Sequence, residues 1–360
     1  METISFAGEA ISPDLIPVEE LADCAETALR QDGARILSYG TGAGYTPLRE
    51  LIAERFEVHP FRVLLTNGWL QGFNLLTQGR ISARNVIAEY PTYAPALRAI
   101  FQGEANLLYI DHRPEGFDFE QISFQIRTSQ KPALAYLVPT FHNPTGTTMP
   151  EQQRLDFGAV LYKADVLIVE DDSYGALRFE GEEVPTVFEL SAKTAVYSAS
   201  LGTPLAPGLR VGAFILPDEL ARELTALAND TYITPALLAQ ATIFELMYRG
   251  AYEPHLEQLR ERLLERRDTM ISALEQHFEG ATWTKPEGGL FLLLTLPPGT
   301  NAKELVELAV GVEAAPGADF MGLPHTLRLN FAGLALEEIV PGIERLAAAW
   351  RQMPEPITMF

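Results

Sequence analysis

Short apolar runs alternate with helical patterns between residues 62 and 216, and this alternation constrains the fold more than any other feature of the sequence. Strands that alternate with helices form mostly parallel sheets whose two faces are both covered. We therefore predict an α/β fold with a seven-stranded, mostly parallel sheet sandwiched by helices. The predicted strands are 63–66, 86–89, 107–110, 133–138, 166–170, 195–198 and 211–215.

The pattern changes after residue 217 to long amphipathic helices, including one at 252–277. Asn301 begins a further helix, with Glu304 three residues later as its capping-box partner, and a strand is predicted at 326–331. This part predicts a smaller α+β domain. Near the N-terminus, the apolar spacing predicts a helix over 18–30.

Composition and charge exclude several classes of protein. The chain has 360 residues and a formal net charge of −21, which repels nucleic acid and anionic membranes. No apolar run approaches the roughly 20 residues of a membrane span, and we expect a cytoplasmic protein. Cys24 is the only cysteine, so no cysteine cluster can bind a metal, and we predict no metal site.

Polar motifs follow several predicted strands at their carboxyl ends, where ligands bind in such sheets. They are EYPTY at 89–93, NPTG at 143–146, EDDSY at 170–174, SASLGTPLAPGLR at 198–210 and, near the C-terminus, TLRLNF at 326–331. Each has an ordinary structural explanation when taken alone. NPTG, for example, favours a turn, and a single arginine at a strand end is usually a surface charge.

Together, in this order, the motifs resemble the pyridoxal-phosphate-dependent aminotransferases of class I/II and fold type I. The resemblance is nearest to the 2-aminoadipate and kynurenine types and to the aminotransferase half of MocR regulators. It implies a large cofactor-binding domain at 41–250 and a small domain built from 1–40 and 251–360. It also implies a homodimer that acts on a small amino acid or a 2-oxo acid.

The resemblance assigns four residues to the cofactor ring. Asp171 would pair with the pyridine nitrogen, Tyr174 and Asn143 would bond the phenolate oxygen, and Tyr93 would stack on the ring. A carboxylate at the end of a buried strand is otherwise difficult to explain energetically. Such a cofactor also needs a phosphate cage and a lysine amine.

The phosphate would bind at Gly68, at the following helix N-terminus, and at Ser200 and Arg210. Tyr39, in the glycine-rich stretch YGTGAGYTPLR at 39–49, matches the family's tyrosine that reaches the neighbouring subunit's phosphate. Arg328 matches the arginine that grips the substrate α-carboxylate, for which a planar fork is suited.

The pattern breaks at the lysine that forms the Schiff base with the cofactor. Counting back from Arg210 places that lysine position at Thr203. A neutral hydroxyl forms no imine and is a poor base near pH 7. A second break is Trp69, where the family has small or polar residues. Its indole would either fill the phosphate pocket or point outward and leave the backbone cup usable.

Two hypotheses follow from these breaks. In the first, the chain is an aminotransferase-family enzyme that holds pyridoxal or pyridoxamine phosphate without a covalent link, and ordinary transamination is doubtful. In the second, it is a non-catalytic dimer that binds an amino acid, a B6 vitamer or a protein partner.

Overall fold

The structure is a computed structural model that describes residues 3–78, 80–111 and 117–353. Its strands are β1 (Ile4–Ser5), β2 (Val63–Thr66), β3 (Asn85–Tyr90), β4 (Asn106–Asp111), β5 (Leu134–Leu137), β6 (Leu167–Asp171), β7 (Val196–Ser200), β8 (Gly212–Ile215), β9 (Thr282–Trp283), β10 (Phe291–Thr295), β11 (Val312–Glu313), β12 (Ala315–Pro316) and β13 (Thr326–Asn330). Its helices are α1 (Val18–Ile36), α2 (Thr46–Arg55), α3 (Trp69–Thr77), α4 (Ala94–Gln102), α5 (Phe119–Thr128), α6 (Glu151–Lys163), α7 (Val187–Leu190), α8 (Asp218–Tyr232), α9 (Leu237–Tyr248), α10 (Tyr252–His277), α11 (Ala302–Leu308) and α12 (Leu336–Trp350).

The large sheet has seven strands in the order β2-β8-β7-β6-β5-β3-β4. Strands β3 to β7 pair in parallel, and β8 runs antiparallel to both β7 and β2. The carboxyl ends of the six remaining strands therefore lie along one edge. The predicted fold class is confirmed.

Helices cover both faces of this sheet, which explains why successive residues of the strands are apolar rather than every second one. On one face, Phe73 of α3 and Ile100 of α4 are buried in a cluster with strand residues such as Phe214. On the other face, α2 and α9 cover the strands near β8, and α5 and α6 cover those near β5. The core is thus a pair of apolar layers, one on each side of the sheet.

A smaller antiparallel sheet has the order β12-β13-β10-β9, and β1 pairs in parallel with β11. Leu292 and Leu329 of this sheet belong to the same buried cluster as Phe73. The N-terminal segment packs here as well, because the Asn330 backbone N–H donates to Phe6 O at 3.0 Å. This arrangement brings β13 and the residues before α1 beside the carboxyl edge of the large sheet.

Most of the predicted strand boundaries lie within one residue of those in the structure, and two element boundaries differ by more. Helix α1 was predicted to end at Arg30 but continues to Ile36, across a non-helical Asp32. Ile36 is buried and adds apolar contact beyond that kink. Strand β7 extends to Ser200 rather than residue 198, because Ser200 still pairs with Gly212 of β8. No helix in the described ranges is long and apolar enough to cross a membrane.

Candidate functional site

Asp171 ends the buried strand β6, and its carboxylate is surrounded by donors. The Tyr136 hydroxyl on β5 donates to Oδ2 at 3.0 Å. The Ser173 backbone N–H donates to Oδ1 at 3.1 Å, and the Ser173 hydroxyl donates to the same oxygen. Burial raises the pKa of Asp171 to about 7, although these hydrogen bonds oppose the shift. The carboxyl group is therefore poised to gain or lose a proton near neutral pH.

The acids on either side of Asp171 are held by structural contacts. Glu170 accepts the backbone N–H groups of Val187 at 2.9 Å and Phe188 at 2.8 Å. Asp172 accepts the Tyr197 hydroxyl at 2.9 Å. Burial raises the pKa of Glu170 to about 8 and that of Asp172 to about 6. Neighbouring residues on a strand point to opposite faces, so Glu170 is turned away from the face to which Asp171 belongs.

A chain of hydrogen bonds joins three residues that the sequence assigned to the site. Asn143 Nδ2 donates to the Tyr174 hydroxyl at 3.1 Å, and Arg328 Nη1 donates to Asn143 Oδ1 at 3.0 Å. The loop that carries Asn143 requires glycine at 146, where φ is 71° and a Cβ would overlap Phe291 O. The loop after β5, the loop after β6 and strand β13 thus meet at one place.

Tyr93 lies beside this group, at the N-terminus of α4. Burial is the main cause that raises the pKa of Tyr93, and the charges of Tyr174, Glu9 and Asp171 add to it. The Trp69 ring links Tyr93 to Asp171, because it lies 5.9 Å from the Tyr93 ring and 5.6 Å from the ring of Tyr136, whose hydroxyl donates to Asp171. The structure therefore brings Tyr93, Asn143, Asp171, Tyr174 and Arg328 together.

The Trp69 indole is not turned outward; it is 5% exposed. Its Nε1 donates to Ser198 Oγ at 2.9 Å, and its ring stacks on Phe73 with centroids 4.8 Å apart. Ser198 precedes Ser200 by two residues on β7, so it lies about 7 Å farther from the end of the strand. The indole extends along the sheet face into the core and reaches the Tyr93 ring edge-on at 5.9 Å.

Arg210 and Gly68 are in contact next to the N-terminus of α3. A Cβ on Gly68 would overlap the Arg210 guanidinium, and Gly68 has a φ of 85°, so only glycine suits this position. The Arg210 side chain is exposed and makes no hydrogen bond or ion pair within the described part of the chain. The Ser200 backbone N–H donates to Ser173 Oγ at 3.2 Å, which ties this corner to the Asp171 loop.

Thr203 lies in the turn after β7, where its backbone N–H donates to Ser200 O at 3.4 Å. No lysine takes its place. Lys193 precedes β7, at the opposite end of that strand, and its Nζ donates to Phe56 O at 2.8 Å. The four others are exposed: Lys131 precedes β5, Lys163 precedes β6, Lys285 lies between β9 and β10, and Lys303 lies on α11. Tyr39 is also apart from the group, with its side chain 83% exposed.

The sequence profile named "Aminotransferase class I and II" matches residues 14–346. This chain belongs to that family. Two curated members are each 32% identical to it over 96% of its length: aromatic-amino-acid aminotransferase 1 of Thermococcus litoralis, covered over 87% of its length, and 2-aminoadipate transaminase of Thermus thermophilus, covered over 89%.

Solved aminotransferases share the whole architecture. The α-aminoadipate aminotransferase of Thermus thermophilus, complexed with N-(5′-phosphopyridoxyl)-L-leucine, has a TM-score of 0.91 and 31% identity, over 97% of this chain and 92% of that one. The kynurenine aminotransferase of Pyrococcus horikoshii, in complex with PMP, has a TM-score of 0.92 and 31% identity, over 98% and 91%. The predicted membership of the pyridoxal-phosphate-dependent, fold-type I family is confirmed.

Three residues of this aminotransferase-family chain contact the site although they were not assigned to it from the sequence. Tyr136 had a sequence signal, since a hydroxyl within a buried apolar strand needs a partner. Ser173 also had one, because serine two residues after aspartate often bonds it locally. Glu9, which contacts Arg328, had none. It lies 319 residues away in sequence, and no periodicity or spacing connects the two.

Proposed function

We propose that this chain binds pyridoxal or pyridoxamine phosphate without a covalent link and has lost ordinary transamination. The observation that carries the proposal is the contrast at the carboxyl edge of the large sheet. Five side chains assigned to cofactor and substrate binding gather there, whereas Lys193 lies at the opposite end of β7 and the other four lysines are exposed. The bound cofactor would supply an electron-accepting pyridine ring and an amino or aldehyde group.

The phosphate would be held by Arg210, Ser200 and the backbone N–H groups that begin α3. Arg210 has its donors free and lies against Gly68. Such donors bond a phosphate strongly because both partners are charged, and a helix N-terminus adds favourable partial charge. The Trp69 indole supports this assignment, since its Nε1 is bonded to Ser198 and its ring is stacked on Phe73 within the core.

The ring would lie against Tyr93, with Asp171 at its nitrogen. The raised pKa of Asp171 has burial as its main cause, and a protonated ring nitrogen would compensate for that burial by pairing with the carboxylate. Asn143 and Tyr174 already share a hydrogen bond and would both face the phenolate oxygen. These residues bind and orient the ring.

Thr203 accounts for the proposed loss of turnover. In the family, the lysine at this position attaches the cofactor and moves a proton at the substrate α-carbon. A threonine hydroxyl has neither the nucleophilic amine nor the basicity for these tasks. Transamination by this chain would therefore be slow or absent, while binding would persist.

We also propose that two copies of the chain form a dimer in which Tyr39 reaches the phosphate of the other copy. The support is its exposure of 83%, which is large for an aromatic side chain that makes no hydrogen bond within the described ranges. An exposed aromatic of this kind is typical of an interface.

The test is to restore the amine. Wild-type protein and the variant Thr203→Lys are incubated with pyridoxal phosphate, reduced with borohydride and digested for peptide mass mapping. We expect a phosphopyridoxyl group at residue 203 in the variant and no specific label at the carboxyl edge in the wild type. Thr128→Lys, on an exposed turn of α5, is the matched control for reaction with a surface lysine. Rapid transamination by the wild-type protein would overturn the proposal.

A further inference from the structure

Arg328 has its donors almost fully occupied by the protein itself. A guanidinium carries five N–H groups in a fixed fork. Nη1 donates to Glu9 Oε1 at 3.1 Å and to Asn143 Oδ1 at 3.0 Å. Nη2 donates to the carbonyl oxygens of Ala7 at 2.7 Å and Gly8 at 3.3 Å. Nε is buried and has no partner among the described residues. One free N–H cannot bind a carboxylate with two parallel hydrogen bonds.

The faces of the same guanidinium are closed as well. Its central carbon lies 4.3 Å from the centre of the Phe291 ring and 4.7 Å from that of Phe320. Arg328 itself is only 1% exposed. A ligand carboxylate would therefore have to approach along the edge that Glu9 already occupies.

The fold holds Glu9 in this position from both sides. Phe6 N donates to Glu313 O at 2.8 Å on one side of it, and Ser12 N donates to Ala332 O at 2.8 Å on the other. Between them, Asn330 Nδ2 donates to the carbonyl oxygens of Gly8 and Ala10, both at 3.0 Å. The Glu9 side chain is 42% exposed, so it borders the opening to solvent, but its backbone is fixed to the small sheet.

The charge of Glu9 acts on the centre of the site. Burial is the largest cause that raises the pKa of Tyr174, and the Glu9 carboxylate is the next. Tyr174 is the hydroxyl that accepts from Asn143. A second carboxylate brought to Arg328 would meet this like charge at close range, which costs binding energy. A neutral or cationic group would not.

We propose that Glu9 occupies the carboxylate position on Arg328 and thereby sets the ligand class of this site. The second ligand is an amine with no carboxylate next to its nitrogen, rather than an α-amino acid or a 2-oxo acid. This inference rests on the proposed binding of a B6 phosphate, which supplies the other half of the site. It reassigns Arg328 from gripping substrate to holding Glu9, Asn143 and the N-terminal segment in place.

Two conjugates that differ only by one carboxylate test the inference. They are N-(5′-phosphopyridoxyl)-L-leucine and N-(5′-phosphopyridoxyl)-3-methylbutylamine, titrated calorimetrically into wild type, Glu9→Gln and Glu9→Ala. We expect the wild-type protein to bind the amine conjugate at least about tenfold more tightly. Both variants should bind the leucine conjugate about tenfold or more tightly than the wild type does, and their affinity for the amine conjugate should change little.

The matched control is Glu26→Ala. Glu26 is exposed, is paired with Arg30 at 2.5 Å on α1, and its removal changes the net charge by the same amount. It should alter neither affinity. Preferential binding of the leucine conjugate by the wild type, or equal affinities in all variants, would overturn the inference while leaving cofactor binding intact.

Absence of binding for both conjugates in every variant would instead overturn the proposed function. In that case the role of Glu9 is tested with a simple carboxylate, 4-methylpentanoate, whose binding to each protein is detected by saturation-transfer NMR. Binding to Glu9→Ala but not to wild type supports the inference, and the same result for both proteins overturns it.

Discussion

The two arginines assigned to this site differ in how their donors are used. Arg210 is exposed and lies against Gly68, and its side chain makes no hydrogen bond or ion pair within the described ranges. Arg328 is 1% exposed and donates to a carboxylate, an amide and two backbone carbonyl groups. The first can accept an anion without losing any contact. The second can do so only by breaking contacts that already hold the fold.

This difference shows that sequence position does not by itself decide what an arginine does. Both residues match positions where the family binds an anion. The one at the carboxyl edge of the large sheet retains free donors, whereas the one on β13 is neutralised by the chain's own Glu9. Anion binding is therefore expected at one end of the site and exclusion of carboxylate at the other.

The largest expected effect that tests this difference is on stability. Arg328→Ala would leave Asn143 Oδ1 and the Ala7 carbonyl group without donors and would open a gap between two phenylalanine rings. We expect it to lower the free energy of unfolding by roughly 3–5 kcal/mol. Urea denaturation at one protein concentration measures this. The matched variant Arg210→Ala should change the free energy by no more than about 0.5 kcal/mol. Equal losses would erase the distinction between the two residues.

The next effect concerns Asp171, which forms no ion pair with either arginine among the described contacts. Its folded pKa is about 7, above the roughly 3.9 of an unfolded aspartate. Between these values the native state keeps a proton that the unfolded state has lost, so the free energy of unfolding falls as pH rises. Asp171→Asn removes this loss. As the pH rises from about 4.5 to 7, the free energy of unfolding of this variant should increase relative to that of the wild type by roughly 2–3 kcal/mol.

Urea denaturation at several pH values checks the slope. Asp165→Asn is the control, because Asp165 is exposed and paired with Lys131, which lowers its pKa. The free energy of unfolding of that variant should not increase relative to the wild type as the pH rises. A stability difference between Asp171→Asn and wild type that stays constant with pH would contradict the raised pKa.

The smallest effect is expected on affinity. Arg210→Ala should weaken binding of pyridoxamine phosphate by about 10- to 100-fold, the range for losing a hydrogen bond between charged groups. Binding of dephosphorylated pyridoxamine should not change. Arg30→Ala, an exposed arginine on α1, is the control for the altered net charge. Equal weakening of both ligands would mean that Arg210 does not contact the phosphate.

The sequence predicts the large sheet well because most of its strands contain a short apolar run of strand length. The prediction for β2 agrees at both ends, and that for α10 does as well, since its amphipathic pattern is long and begins two residues after Gly250. The end of α1 was wrong. Its kink at Asp32 and the buried Ile36 depend on tertiary packing that local propensity does not report.

The site is predictable where residues follow strands and less so where distant segments meet. Asn143 lies in the loop after β5, Asp171 ends the neighbouring parallel strand β6, and Tyr174 lies in the loop after β6, so the topology alone places them together. The orientation of Trp69 depends on whether Ser198, 129 residues away, offers an acceptor. The position of Glu9 beside Arg328 depends on the path of the N-terminal segment over β13. Contacts of this kind arise from the assembled fold and leave no pattern along the chain.

The most direct test of the central claim is a calorimetric titration of the wild-type protein with pyridoxamine phosphate, which needs no lysine to bind. We expect saturable binding with one molecule per chain, and at least about tenfold weaker binding of pyridoxamine, because the phosphate carries the charge-assisted contacts. Absence of binding, or equal affinity for the two compounds, would contradict the account.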